Sequence, residues 1–452
     1  MIGLVPIFTS VLVFLTGVCG FFSPASAAKV ETVVSPGGIS AWLVRDSSIP
    51  LISMNFTFRG AGASLDPKGK GGRANMVSAL LDEGAGNLDS QAFQRQLENQ
   101  SIRLSFNAGK DTFGGSLKML NKFRDSAIKL TALALTQPRF DKDAVQRIRA
   151  QILTGLKSRS SRPGFIANRV WSNAIYGEHP YARPTMGTQK SVAGLSVEDL
   201  RSYVSESFSR DRLIVGVVGD VTASELKPAL DQIFGGLPGK RPRQKIKSAR
   251  ISSKGTLLVV KKAIPQSVVI FGQKGVTRSD PNFYVAYVMN HILGGGSFTS
   301  RLYNEVREKR GLAYSVYTYL SPRQMAPLLA GRLSTANDRV AESLRVLREE
   351  WQRMAVQGVS DAELENAKSF INGSFPLRFS SSDQISELLV TLQYYQLGAD
   401  YLKNRRNLID AVSAMQIKQL AKRVINREAL TVTIVGDPKG VKATGKVPLL
   451  DF

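Results

Sequence analysis

The chain has 452 residues, of which 43% are hydrophobic, and carries a formal net charge of +24. This length is too great for one ordinary hydrophobic core, so we expect two or more domains. The single cysteine, Cys19, lies near the N-terminus, which excludes a disulfide, a thiol nucleophile and a thiolate metal ligand from the rest of the chain. No nucleic-acid-binding motif accompanies the charge, so we expect no nucleic-acid partner; a partner subunit, acidic peptides or an anionic membrane surface are the alternatives.

The N-terminal segment has the features of a secretory signal peptide. Residues 1–27 contain no charged side chain, are apolar from Leu4 to Phe22, and end in Ala-Ser-Ala, which is a signal peptidase site. We predict cleavage after Ala27 and a periplasmic location for the mature chain, with no stable membrane insertion. Because no Lys or Arg precedes the apolar run, an uncleaved anchor is the alternative.

The rest of the chain consists of two similar halves. Alternating strands are predicted at 40–44 and 51–59 in the first half, and at 256–261 and 267–272 in the second. Capping boxes begin amphipathic helices at Ser196 and Ser413. Each of these helices leads to a strand that ends in Gly-Asp, at Asp220 and at Asp437. Other helical stretches are predicted at 93–100, 121–135, 141–159, 338–357, 361–373 and 382–397.

This internal repeat predicts an α+β fold. We expect two homologous α/β-sandwich domains, each with a mixed, largely antiparallel sheet and helices packed on one face. The predicted boundaries are 28–235 for an N-terminal domain, 236–254 for a basic linker and 255–452 for a C-terminal domain. The linker is predicted from its prolines, glycines and basic residues.

The most specific stretch of the sequence lies in the second half. Three consecutive glycines, Gly294, Gly295 and Gly296, are predicted to form a loop, because glycine restricts the backbone conformation least. Ser297 is predicted to cap a helix that runs to about Arg310. We predict that these glycines and Ser297 contribute to substrate binding.

Two side chains beyond this loop can converge on one point. Arg307 belongs to the last turn of the predicted helix, Gly311 ends that helix, and Tyr314 belongs to the tyrosine-rich strand that follows. A guanidinium and a phenol both donate hydrogen bonds at neutral pH, so the pair suits a carbonyl oxygen that becomes an oxyanion.

This stretch resembles the C-terminal signature of the pitrilysin, insulinase and mitochondrial processing peptidase family, the inverted zinc peptidases. The resemblance rests on Gly-Gly-Ser-Phe-Thr-Ser-Arg-Leu at 295–302 and Arg-Gly-Leu-Ala-Tyr at 310–314. It implies that Arg307 and Tyr314 bind peptide and stabilise the transition state. It also implies two similar α+β domains that form a half-clamshell.

The residues that bind zinc in active members of this family are replaced here. Active members use H-x-x-E-H on a helix and a glutamate farther along the chain. The corresponding positions are Asn75, Ser78, Ala79 and Gly155. The two histidines of the whole chain, His179 and His291, are too far apart to form the motif. We therefore expect a degenerate zinc site, and no metal or other cofactor in this chain.

The resemblance implies a non-catalytic, zinc-less subunit of a periplasmic metallopeptidase complex. Such a subunit closes the chamber around an extended peptide and supplies Arg307 and Tyr314 in trans to a zinc-bearing partner of the same family. We expect no hydrolysis by the chain alone, and a heterodimer, with a homodimer left open. The alternative is a structural or peptide-binding protein of the same fold without a role in proteolysis, similar to the core subunits of the respiratory cytochrome bc complex.

Overall fold

A computed structural model describes residues 29–242, 244 and 246–451. The predicted signal peptide, residues 1–27, lies outside the described residues. Within the described ranges, no helix is both long enough and apolar enough to cross a membrane.

The strands and helices are named here in chain order. The strands are β1 (Val30–Val34), β2 (Ser40–Arg45), β3 (Leu51–Arg59), β4 (Arg103–Ala108), β5 (Thr112–Leu120), β6 (Leu213–Gly219), β7 (Leu257–Lys261), β8 (Gln266–Lys274), β9 (Ala313–Ser321), β10 (Leu328–Ala336) and β11 (Thr431–Gly436). The α-helices are α1 (Arg73–Ser78), α2 (Ser90–Asn99), α3 (Arg124–Thr136), α4 (Lys142–Ser160), α5 (Pro163–Tyr176), α6 (Gln189–Ala193), α7 (Val197–Ser207), α8 (Ala223–Phe234), α9 (Phe283–Asn290), α10 (Val340–Gln357), α11 (Asp361–Gly373), α12 (Ser382–Tyr394), α13 (Tyr401–Asp410) and α14 (Ala414–Val424).

The strands form two mixed sheets with the same topology. The first sheet has the order β1-β2-β6-β3-β5-β4 and the second has the order β7-β11-β8-β10-β9. In the first, β6 is parallel to β2 and antiparallel to β3. In the second, β11 is parallel to β7 and antiparallel to β8. The second sheet therefore repeats the first without β1, which confirms the predicted α+β fold with two similar halves.

Local signals in the sequence fix the ends of several elements. Ser196 and Ser413 accept hydrogen bonds from backbone N–H groups three residues later and form the predicted capping boxes of α7 and α14. β3 has the predicted bounds. These features depend on neighbouring residues alone, which is why the sequence is enough to place them.

Each sheet packs one face against helices of its own half. In the first half, the ring centroids of Phe58 and Phe208 are 4.7 Å apart, and those of Phe56 and Phe234 are 5.3 Å apart. In the second half, the ring of Phe271 meets that of Trp351 at 5.8 Å. Burial of these aromatic side chains removes apolar area from water and stabilises each half.

The opposite face of each sheet is covered by a helix from the other half. Helix α5 packs on β8 and β11 of the second sheet, and helix α12 packs on β3 and β6 of the first. Helices on one face only are expected from the sequence, and that expectation is wrong in this respect, because each half supplies a helix to the sheet of the other half. We call this arrangement the helix exchange. It agrees with the sequences of β6 and β11, in which almost every residue is buried, as is typical of strands covered on both faces.

Helix α5 forms an apolar contact with the second sheet. Trp171 is 4% exposed and packs in a cluster with Ile270 and Val435. Its indole N–H donates to the carbonyl oxygen of Thr431 at 2.9 Å. A Cβ atom at Gly272 would lie 2.8 Å from the Trp171 ring, so the glycine permits this approach.

Helix α12 forms a more polar contact with the first sheet. Ser386 accepts a hydrogen bond from the Asn55 amide at 2.7 Å and lies 3.1 Å from the Ser53 hydroxyl oxygen. Farther along the helix, the Gln393 amide donates to the carbonyl oxygen of Val215 at 2.8 Å. Gly216 permits the approach here, because a Cβ atom at that position would lie 2.5 Å from the Ser386 carbonyl oxygen.

The segment between α8 and β7, which contains the predicted linker 236–254, has no helix or strand among its described residues. It nevertheless packs on both halves. The N–H of Ser252 donates to Ile175 at 3.0 Å and the N–H of Ala249 donates to Met325 at 2.8 Å. The domain boundaries themselves stay a prediction.

We expect Trp171→Ala to destabilise the whole protein. The substitution leaves a cavity between α5 and the second sheet and should cost about 3–5 kcal/mol. The measurement is urea unfolding followed by fluorescence and circular dichroism. Leu377→Ala, at a position that is 71% exposed, is the control and should change the unfolding free energy by less than about 0.5 kcal/mol. Equal effects of the two substitutions would show that the exchanged helix does not stabilise the fold.

Candidate functional site

The first two of the three consecutive glycines continue a helix, and Gly296 is its C-terminal cap. Residues His291–Gly295 form a π-helical turn after α9, and the N–H of Gly296 donates to the carbonyl oxygen of His291 at 2.8 Å. The predicted glycine loop is therefore wrong. The reason lies in packing: a Cβ atom at Gly294 would be 2.6 Å from the hydroxyl oxygen of Thr318 on β9. Glycine at this position lets the turn lie directly on the strand.

Ser297 does not cap the helix that follows. It has a φ of 49° and begins a short 3₁₀ turn, Ser297–Thr299. The next helix begins after Ser300, whose carbonyl oxygen accepts from the N–H of Asn304 at 3.0 Å. The predicted cap is wrong because Ser297 itself has a left-handed backbone conformation, which changes the direction of the chain. Ser300, and not Ser297, is therefore the serine that directly precedes the helix. Gly295 and Ser297 are exposed, whereas Gly294 and Gly296 are buried.

Arg301 anchors the helix that carries the predicted site. Its side chain is 7% exposed, and its Nε and Nη2 donate to the two carboxylate oxygens of Glu363 at 2.6 and 2.7 Å. Nη2 also donates to the carbonyl oxygen of Gly358 at 2.8 Å. Such bidentate pairing fixes both position and orientation. The helix is thereby attached to the start of α11.

The carboxyl group of Glu363 is held in its charged form. Burial raises its pKa, but hydrogen bonds from Arg301 and Ser360 outweigh burial and bring the pKa to about 2. The same carboxylate completes the capping box of α11 with Ser360. Glu363 therefore stabilises both the start of α11 and the start of the helix that contains Arg301.

The helix beyond Arg301 is wound as a π-helix over Tyr303–Glu308 and brings three side chains together. The guanidinium carbon of Arg307 lies 5.0 Å from the ring centroid of Tyr303 and 5.0 Å from that of Tyr314. Tyr303 is 8% exposed and Tyr314 is 76% exposed. The guanidinium therefore contacts one buried aromatic ring and one solvent-exposed aromatic ring, and both contacts are cation–π interactions.

Tyr314 lies at an irregular point of β9, which is an edge strand of the second sheet. Thr335 pairs with Ala313 and Ser334 pairs with Ser315, so Tyr314 is an extra residue in the ladder. Such a bulge changes the direction of one side chain. Gly311, with a φ of 58°, ends the helix as predicted and begins the turn into this strand.

The donors of Arg307 and Tyr314 remain available. In the part of the chain that the structure describes, the Tyr314 hydroxyl has no hydrogen bond, and the nearest acid to Arg307 is Glu308, with Oε1 4.0 Å from Nε. The structure thus brings together the two residues that the sequence analysis paired. Their action on a peptide carbonyl oxygen stays a prediction.

The four degenerate zinc positions lie on packed helices of the first half. Asn75 and Ser78 belong to α1, Ala79 follows it directly, and Gly155 belongs to α4, which contacts α1. The Ser78 hydroxyl donates to the carbonyl oxygen of Asn75 at 2.8 Å. Among the described residues there is no group of three or more His, Cys, Asp or Glu side chains that could hold a metal ion.

Nearby acids are engaged in other interactions. Arg147 donates to both carboxylate oxygens of Glu83 at 3.1 and 2.7 Å. Burial raises the pKa of Asp82 to about 6. Of the two histidines, His179 uses both ring nitrogens, with the Lys247 carbonyl oxygen at 2.8 Å and the Tyr181 N–H at 3.1 Å. These contacts are structural.

One polar cluster is not predicted from the sequence. Lys110 and Asp111 come from the turn between β4 and β5, Arg323 comes from the turn between β9 and β10, and Tyr394 and Tyr395 come from the end of α12. These side chains line one cavity. No motif links them, because the fold brings them together from three distant segments.

We expect Glu363→Gln to destabilise the protein in a pH-dependent manner. The glutamine side chain can still form the capping box of α11, but it loses the charged contact with Arg301. This loss should lower the free energy of unfolding by about 1.5–3 kcal/mol at pH 7. Because the pKa of the native carboxyl group is lowered, its stabilising contribution is present above the ordinary pKa and is lost as the pH falls toward about 2. Urea unfolding at pH 7, 4 and 3 measures this. Glu365→Gln on the same helix, whose acid is 70% exposed, should have little effect at any pH; an equal cost for both variants would contradict the anchoring role.

Comparisons with known proteins agree with this architecture. A family model described as peptidase M16 inactive domain matches residues 194–370. A relative from Helicobacter pylori, named non-peptidase homolog YmxG, is 28% identical over 395 residues, which cover 86% of this chain and 90% of the relative.

Two solved structures are also similar to this chain. A crystal structure of a peptidase M16 inactive domain from Pseudomonas fluorescens has a TM-score of 0.84 and 27% identity, over 91% of this chain and 98% of the other. The structure of a protease from Helicobacter pylori has a TM-score of 0.80 and 18% identity, over 90% and 99% of the two chains, and shows the fold alone. These findings show that the chain is similar to M16 peptidase-family proteins named as inactive or non-peptidase members, and the replaced zinc ligands agree with that similarity.

Proposed function

We propose that this chain is the non-catalytic subunit of a metallopeptidase complex and completes the active site of a zinc-bearing M16 partner. One observation carries the proposal: the Arg307 guanidinium lies 5.0 Å from the ring of Tyr314, which is 76% exposed. The chain thus keeps an open pair of hydrogen-bond donors although the positions for zinc ligands are replaced. A subunit that acts in trans needs this combination.

In this proposal Arg307 and Tyr314 orient the carbonyl of the bond to be cleaved. Zinc in the partner supplies the activated water. The guanidinium and the phenol donate to the carbonyl oxygen and stabilise the negative charge that develops on it. Tyr303 supports Arg307 from the buried side at 5.0 Å, so the donor is oriented before the peptide arrives.

The segment before Arg301 is proposed to contact the peptide backbone. Gly295 and Ser297 are exposed there and offer polar groups without a bulky side chain. Gly294 and Gly296 are buried, so their contribution is to hold this segment against β9. An extended peptide is the substrate that such a set of backbone and side-chain donors suits.

We further propose that the complex is periplasmic. The support is the apolar, uncharged segment 1–27 with its Ala-Ser-Ala end, and the absence of cysteine from the residues that follow it. A heterodimer with the zinc-bearing subunit is the proposed assembly, since a homodimer would contain no zinc-ligand set.

We expect Arg307→Ala and Tyr314→Phe each to slow peptide hydrolysis by the assembled pair by more than tenfold. Loss of one oxyanion donor commonly costs about 2.7–4 kcal/mol of transition-state stabilisation. The measurement is hydrolysis of an unstructured peptide by the co-purified pair, with size-exclusion chromatography to verify assembly. Tyr317→Phe, on the same strand and with 42% exposure, is the matched control and should retain full activity.

Full activity of both variants in an assembled pair would refute the trans role. The chain would then be a structural or peptide-binding protein of the same fold. Loss of assembly in the variants, with the control intact, would place the two residues in the subunit interface and would also contradict the proposed role.

A further inference from the structure

A cavity of about 340 Å³ lies where the two halves of the chain meet. Lys110 and Asp111 line it from the first half, and Arg323, Tyr394 and Tyr395 line it from the second. This volume is near the lower end of the range for ligand sites, so it suits a single side chain or a small organic group.

The charges around this cavity are mainly positive. Lys110 and Arg323 line it directly; the Lys110 ammonium donates to the carbonyl oxygen of Arg183, and the guanidinium groups of Arg169 and Arg183 are close enough to act on its charge. Burial and these neighbouring cations lower the pKa of Lys110 to about 7. Asp111 is the one acid in the lining, and its carboxylate already accepts a hydrogen bond from the Tyr181 hydroxyl.

Among the described residues, Arg323 has no carboxylate within ion-pair distance. Its guanidinium lies 5.6 Å from the ring centroid of Tyr181. It has no hydrogen bond and no ion pair within the part of the chain that the structure describes, and it is only partly exposed to solvent. A partly desolvated guanidinium with unused donors is a strong recognition group for a carboxylate.

The aromatic wall of the cavity is held in place by further cations. Arg59 lies 5.7 Å from the ring centroid of Tyr394, and Arg278 lies 5.9 Å from that of Tyr395. The two tyrosine rings meet edge to face, with centroids 5.0 Å apart. These contacts orient the two rings and add to the positive potential at the cavity.

We propose that this cavity binds the carboxylate of an aspartate or glutamate side chain in an extended peptide, with Arg323 and Lys110 as its partners. The size of the cavity suits one acidic side chain, and the net charge of +24 attracts acidic chains from solution. This inference goes beyond the proposed function, because binding here requires neither a zinc-bearing partner nor Arg307 and Tyr314.

The first experiment compares peptides on the purified full-length mature chain. The probes are eight-residue peptides with a neutral fluorophore that differ only in two central residues, which are Glu, Gln or Lys, and fluorescence anisotropy reports binding. We expect the Glu peptide to bind at least about tenfold more tightly than the Gln peptide, since charged hydrogen bonds are the stronger ones. Equal affinity of the Glu and Gln peptides would overturn the proposal. If free N-acetylglutamate displaced the Glu peptide at equal concentration, the site would recognise a free carboxylate as well as a peptide, and the proposal of a peptide ligand would be wrong.

The second experiment locates the binding site. Arg323→Gln and Lys110→Met should each weaken binding of the Glu peptide by about tenfold or more and leave binding of the Gln peptide unchanged. Arg95→Gln, at an exposed position on α2, removes the same charge at a distance from the cavity and should have no effect beyond about twofold. Thermal melting verifies that all three variants are folded. If Arg95→Gln weakened binding as much as Arg323→Gln, the effect would be general charge attraction and the site would be refuted.

Discussion

The exchange of helices α5 and α12 between the two halves is the constraint on which the rest of the structure depends. β6 and β11 are buried on both faces, and one of those faces is covered only when the other half supplies its helix. Trp171 fills the contact on one side, and Ser386 and Gln393 satisfy polar groups on the other. Neither half can therefore complete its own sheet, and the two halves stabilise each other.

The same exchange of helices positions the residues for which we propose functions. Helix α12 ends at Tyr394, in the wall of the junction cavity, and α5 ends at Tyr176, shortly before Tyr181, which contacts both Asp111 and Arg323. The edge strand β9 belongs to the sheet that α5 covers, and its bulge directs Tyr314 toward Arg307. In the proposed functions, such a junction holds the hydrogen-bond donors in position before a peptide binds, which is the basis of electrostatic preorganisation.

Features of the fold that depend on residues adjacent in sequence could be predicted, and features that depend on distant contacts could not. The bounds of β3, the capping boxes at Ser196 and Ser413 and the helix end at Gly311 depend on adjacent residues, and all were predicted. The helix start at Ser297 was predicted wrongly because the packing of Gly294 on Thr318 and the pairing of Arg301 with Glu363 decide it. The helix exchange and the junction cavity could not be predicted, because hydrophobic periodicity shows which face of a helix is apolar and not which sheet it covers.

The central claim is that this zinc-less chain contributes to hydrolysis only through a partner. The most direct test measures bound zinc by mass spectrometry, and peptide hydrolysis, for the mature chain alone, for a co-expressed zinc-bearing M16 chain alone and for the pair. The account predicts no stoichiometric zinc and no hydrolysis for this chain alone, and hydrolysis by the pair that exceeds that of the partner alone and stops with a chelator. Stoichiometric zinc and hydrolysis by this chain alone would contradict it.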